Sequence, residues 1–136
     1  IVQTQTTSFK KELYQAVHNL STDTLKIALY TGNANLNEDT TGYSATNEVV
    51  ATGYTAGGNT LTGVAISSSG STAYVNWANT SWTAALTARC ALIYNVTQGN
   101  KSIAVIDFGA DKTSTTTFTI TMPANTSTTA LIRSSN

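Results

Sequence analysis

Groups that change protonation state or bind metal are scarce in this chain of 136 residues, which has one His, one Cys and seven carboxylates. Catalysis needs such groups within hydrogen-bond reach of one another. At this density the chain is not expected to be an enzyme, and no cofactor is expected. A single cysteine, Cys90, excludes an internal disulfide. Its place in the apolar run Ala88-Arg89-Cys90-Ala91-Leu92-Ile93-Tyr94 marks it as a small buried hydrophobe rather than a reactive thiol. No apolar run approaches the ~18 residues of a membrane span, and no basic segment leads into an apolar one as a secretory signal would require. Membrane is therefore not an expected partner. Charge is short too, at 10% of residues, and it cancels to a formal net charge of +0. Without a basic stripe, nucleic acid is not an expected partner either.

What fills the space is Thr, Ser and Asn, in 27, 13 and 12 copies. A near-neutral surface of small hydroxyl and amide groups lacks the repulsion that keeps particles apart, so it favours association. A hydrophobic share of 40% is enough to close a core, and the length suits one domain over 1–136.

Periodicity divides the chain. Residues 1–7 read as an extended polar lead-in. A helix is expected over 8–19, capped by Ser8, with Phe9, Leu13, Ala16, Val17 and Leu20 on one face. A β-domain is expected over 24–134, because the period drops to two at Leu25-Lys26-Ile27-Ala28-Leu29-Tyr30. Further strands are expected at Thr60–Ser67, Ala73–Trp77, Ala88–Asn95, Ser102–Phe108 and Thr116–Met122, with Ala130–Arg133 closing the chain. Ile103–Ile106 is apolar on both faces and should be central, whereas Pro123 ends the strand before it. Residues 31–58 form a long irregular segment, and segments of that length tend to be functional. The expected class is mainly β, an antiparallel β-sandwich or barrel-like fold of about six to eight short strands with one N-terminal α-helix.

Several motif-like strings carry no chemistry. Asp107-Phe108-Gly109 lacks every companion of a kinase site and reads as a strand end with a glycine turn. The Gly-rich Gly53-Tyr54-Thr55-Ala56-Gly57-Gly58 has no Gly-Lys-Ser/Thr for a phosphate. Asn33, Asn35, Asn37, Glu38 and Asp39 offer oxygens but no calcium loop, so no metal is expected. His18 is explained by a helix C-terminus. Sequons at Asn19, Asn79, Asn95, Asn100 and Asn125 follow from composition.

Several strings follow one another in a fixed order: Thr7-Ser8-Phe9-Lys10-Lys11-Glu12-Leu13 with Val17-His18-Asn19, then Lys26-Ile27-Ala28-Leu29-Tyr30-Thr31. After them come Tyr43-Ser44-Ala45-Thr46-Asn47-Glu48-Val49, the Gly53–Gly58 string with Leu61, Ala88–Asn95 and Ala104–Gly109. In these strings, over nearly its whole length, the chain resembles a family of small virion structural proteins of tailed bacteriophages. The resemblance implies a particle component without catalytic residues. The expected role is a decoration or cement protein on the outer head surface, bound to the major capsid protein or other virion subunits and assembled as a dimer or trimer. A tail or tail-tip location is the alternative within that class. A third reading is a host-surface glycan-binding module using Tyr43, Tyr54, Trp77 and Trp82; of the two tryptophans Trp82 has the more polar setting, but core packing is the favoured use of both. Candidate partner-contact residues are Tyr43, Glu48, Tyr54 and Trp82. The irregular 31–58 segment is expected to order itself across a neighbouring subunit.

Overall fold

A computed structural model describes residues 1–135. It is mostly β, with ten strands in antiparallel sheets and one short helix, an arrangement consistent with a β-sandwich. The strands are β1 (Thr4–Gln5), β2 (Leu25–Tyr30), β3 (Asn59–Thr60), β4 (Ala65–Ser69), β5 (Thr72–Asn76), β6 (Thr80–Trp82), β7 (Thr87–Asn95), β8 (Lys101–Thr113), β9 (Phe118–Ile120) and β10 (Ile132–Ser134). A five-stranded sheet runs β1-β8-β7-β2-β3, beside a three-stranded sheet β10-β5-β4 and a pair β6-β9.

The five-stranded sheet is covered on both faces. On one, Leu25, Ile27, Leu29 and Ile93 meet Val75, Trp82, Phe118 and Ile132 of the smaller sheets, with Phe9 of the helix. On the other, Ala28, Tyr30, Cys90, Leu92, Tyr94 and Val105 lie beneath Ala34, Leu36 and Tyr43 of the irregular segment. This double burial explains why β2 keeps only Lys26 partly in solvent, although its sequence alternates. Residues 31–58 contain isolated bridges but no named strand, so the expected irregularity is found. Their destination differs from the expectation: they fold back on their own sheet. The apolar face they cover offers about 25 cal/mol per Å² for doing so.

The helix α1 spans Thr7–Tyr14, shorter than expected and capped by Thr6 rather than Ser8, with Thr6 Oγ1 accepting from Phe9 N. It stops because Ala16 adopts φ +57, letting Val17 N donate to Glu12 O and Ala16 N to Leu13 O, the paired bonds of a Schellman end. His18 therefore lies beyond the helix and folds beneath Phe9, at 5.2 Å between ring centroids.

Within the extended lead-in, Thr4 and Gln5 form β1, with Thr4 opposite Val105 and Gln5 opposite Ala104. Two other expectations are corrected. Thr60–Ser67 splits between two sheets because Gly63, at φ +64, turns the chain between β3 and β4. Asp107-Phe108-Gly109 does not end its strand. The pairing with β7 jumps from Cys90–Asp107 to Ala88–Lys112, leaving residues 108–111 as an excursion in which Asp107 Oδ1 accepts from Gly109 N at 2.9 Å and Arg89 Nε at 3.3 Å. The expected central position of residues 103–106 is found, since β8 lies between β1 and β7.

Candidate functional site

The four residues read from the sequence as partner contacts converge in one cluster, and three are inside the protein. Asn47 at φ +61 turns the backbone so that Thr31 N donates to Asn47 O and Val49 N to Leu29 O. This places Glu48 against the end of β2, 6% exposed. Its Oε1 accepts from Tyr43 OH at 2.6 Å, and its Oε2 from Tyr54 OH at 2.6 Å and Gly57 N at 2.8 Å. A carboxylate with this many donors tolerates burial without a cationic partner.

The network ties loop to sheet. Tyr54 OH also accepts from Leu29 N at 2.8 Å, and Tyr94 OH of β7 donates to Gly57 O at 2.6 Å. Tyr43 stacks on Tyr94 with centroids 4.7 Å apart, and Tyr30 OH donates to Ser44 O. Trp82 packs against Tyr54 at 5.9 Å, and its indole Nε1 is buried without a partner among the described residues. The glycines of the Gly53–Gly58 string are explained here by close approach. A Cβ on Gly58 would lie 1.9 Å from Ile27 O, and one on Gly53 2.2 Å from Thr83 O.

These contacts correct the candidate list. Tyr54 at 8% exposure, Trp82 at 4% and Glu48 are closed to a partner, and only Tyr43 keeps a half-exposed side chain. Trp77 is buried as well. Both tryptophans are used in the core, which is the favoured expectation; despite its polar neighbours Trp82 faces inward because β6 alternates and points it between exposed Ser81 and Thr83. An aromatic glycan platform built from Tyr54, Trp77 and Trp82 is therefore absent from the surface.

Burial, followed by the nearby Glu48 charge, raises the Tyr30 phenol above its ordinary value and pushes Tyr94 up to about 12. Tyr43 and Tyr54 are raised by burial and then by donating to Glu48. Folded-state values above the ordinary 10.0 mean that these phenols add stability that is fully present below about pH 10 and lost as pH climbs through the raised values. The expected result is alkaline unfolding in which tyrosinate absorbance and loss of tryptophan fluorescence anisotropy change together. Independent ionisation of these four phenols while the fold persists would contradict it.

A second polar cluster lies at the other end of β2. His18 Nε2 is 2.8 Å from Glu12 Oε1, and His18 Nδ1 is 2.9 Å from Asn95 Nδ2, which also donates to Asp23 Oδ2 at 2.8 Å. With Asn95 Oδ1 accepting from Gln98 N, every partner is satisfied when the imidazole proton sits on Nε2. Burial pushes the Asp23 carboxyl up, but hydrogen bonds from Asn95, the Asn19 backbone and Gln98 outweigh it and hold it low. The cluster fastens the chain after α1 to the β7–β8 turn. Cys90 is fully buried, and burial followed by the Asp107 charge pushes its thiol up to about 11.

Among the described residues, no group of three or more His, Cys, Asp or Glu is arranged to hold a metal ion. No helix is long and apolar enough to cross a membrane. The surface carries a different kind of feature: Thr62 to Ser71 are all exposed, and between Glu48 and Arg89 there is no Asp, Glu, Lys, Arg or His.

No protein-family model, curated protein or solved structure matches this chain.

Proposed function

We propose that the protein is a non-enzymatic structural subunit of a tailed-bacteriophage virion, a decoration or cement protein on the outer surface of the head. The observation that carries this reading is where the ionisable side chains go. Glu48 is used to fasten the irregular segment, and Glu12, His18 and Asp23 fasten the chain end of α1. The remaining charged residues, among them Lys10, Lys11, Asp39, Asp111, Lys112 and Arg133, are exposed but sparse, and the exposed stretch from Thr62 to Ser71 presents only neutral groups. Such a surface makes hydrogen bonds to a neighbour without the desolvation cost of charge. On a symmetric shell many modest contacts of this kind add together. The resemblance to phage structural proteins, which runs in one order from about Thr7 to Arg133, supports the particle context.

Mass spectrometry and a cryo-EM reconstruction of purified particles test the proposal. The expected result is density for this chain at high copy number on the head. Its absence from purified particles would remove the virion reading, and a small symmetric count at the tail would move it there.

A further inference from the structure

The outer edge of β4 is the unguarded part of this fold. β4 ends the sheet β10-β5-β4, pairing with β5 from Ala65–Asn76 to Ser69–Thr72. Among the described residues, no other backbone or side-chain hydrogen bond involves Ala65 to Ser69. Both faces of the strand are exposed, and Ile66 is 55% exposed. The hairpin closes through Gly70 at φ +59 followed by Ser71, the form in which Gly takes the first central position. In such a hairpin the closing pair Ser69–Thr72 is hydrogen-bonded, and bonded pairs alternate along the ladder. The backbone groups of Ile66 and Ser68 therefore point away from β5, into solvent.

Natural proteins block such an edge with charge, proline, bulges or short length. The other free edges show these devices. β8 beyond β1 carries Asp107, Asp111 and Lys112 with the excursion at Gly109, and β10 is three residues long and carries Arg133. β4 has none of them, and it lies near the middle of the charge-free stretch between Glu48 and Arg89.

We infer that β4 pairs with β4 of a second copy of this chain, antiparallel about a two-fold axis at Ile66, joining two three-stranded sheets into one of six. An antiparallel pair of identical strands is self-complementary. Any charge near its axis would meet its own copy, so self-pairing demands a neutral edge where a foreign strand would not. The register at Ile66 sets the two Ile66 side chains directly opposite each other, a favourable β-branched pair, and Val64 opposite Ser68. The inference deepens the assembly reading by naming the surface. A monomer found on particles would sink the strand pairing and leave the virion role standing, while a β4 dimer that binds no particle would do the reverse.

The test is sedimentation equilibrium of the full chain at concentrations up to millimolar, where the expected mass is twice 14.3 kDa. Ile66→Lys and Ser68→Pro should each weaken self-association about tenfold or more. Ser68→Pro leaves the β4–β5 ladder intact because the Ser68 N–H faces outward, so far-UV circular dichroism should be unchanged. Ile66→Cys should be captured as a dimer by a short bis-maleimide, whereas Tyr14→Cys, on a side chain 95% exposed on α1, should not; Cys90 is buried and silent. A chain that stays monomeric throughout, an oligomer that both edge variants leave intact, or capture no better at Ile66 than at Tyr14 would overturn the inference.

Discussion

Glu48→Ala is expected to destabilise the protein by about 3–5 kcal/mol, the cost of stripping the shared acceptor from buried donors. Against a net stability of about 5–15 kcal/mol for a domain, that leaves little margin. The two tyrosine hydroxyls can turn toward other acceptors, but Gly57 N–H is fixed by the backbone and keeps its full desolvation penalty. Glu48→Gln should cost less, about 1–3 kcal/mol. Its carbonyl can take the Tyr54 and Gly57 side, while its amide donates to the Tyr43 hydroxyl. Urea denaturation followed by tryptophan fluorescence measures both. Hydrogen exchange should show faster exchange at Leu29 and Gly57, whose amides the cluster protects. An alanine variant within about 1 kcal/mol of the parent would mean that the cluster does not hold the 31–58 segment in place.

Gly58→Ala is the second large effect, and Gly99→Ala is its control. Both glycines have positive φ, +79 and +72. They differ in what a methyl would meet. At Gly58 it would lie 1.9 Å from Ile27 O and 2.8 Å from Ala28 Cα, both backbone atoms of β2, whereas at Gly99 nothing lies within 4 Å. The backbone cost alone is about 1–2 kcal/mol, which is all that Gly99→Ala should show. Gly58→Ala must also push the segment off β2, and a loss of more than about 4 kcal/mol is expected, read as collapse of the denaturation midpoint or of soluble yield. Equal effects at the two sites would show that the close approach to Ile27 is not as tight as described.

The class of fold was legible because β2, β7 and β9 carry their pattern locally. Leu25, Ile27 and Leu29 alternate, Ala88–Asn95 is a continuous apolar run, and Phe118 and Ile120 flank an exposed Thr119. The parts that were not legible depend on partners distant in the chain. Thr4 and Gln5 have no strand signal of their own and become β1 only because β8 presents a free edge. The end of α1 depends on Ala16 taking a backbone region that favours glycine, which composition does not announce. Nothing in the sequence ties Tyr43, Glu48, Tyr54 and Trp82 to one cluster, and a lone Glu between Asn and Val reads as exposed. Its burial is set by Tyr43, Tyr54 and Gly57, each of which needs the loop already folded. The core use of Trp82 follows from strand alternation: its polar neighbours mark the outward face, and the tryptophan takes the other.

The pairing of β1 with β8 also has a temporal side. Thr6 N donates to Ile103 O, and Gln5 sits opposite Ala104, so the amino-terminal residues find their place only after a stretch made much later has emerged. Until then the hydrophobic strands β2 and β7 lack the neighbour that completes their sheet. Topologies dominated by such distant pairings fold slowly and pass through sticky intermediates. A polypeptide this poor in repelling charge has little else to keep unfinished copies apart while it waits.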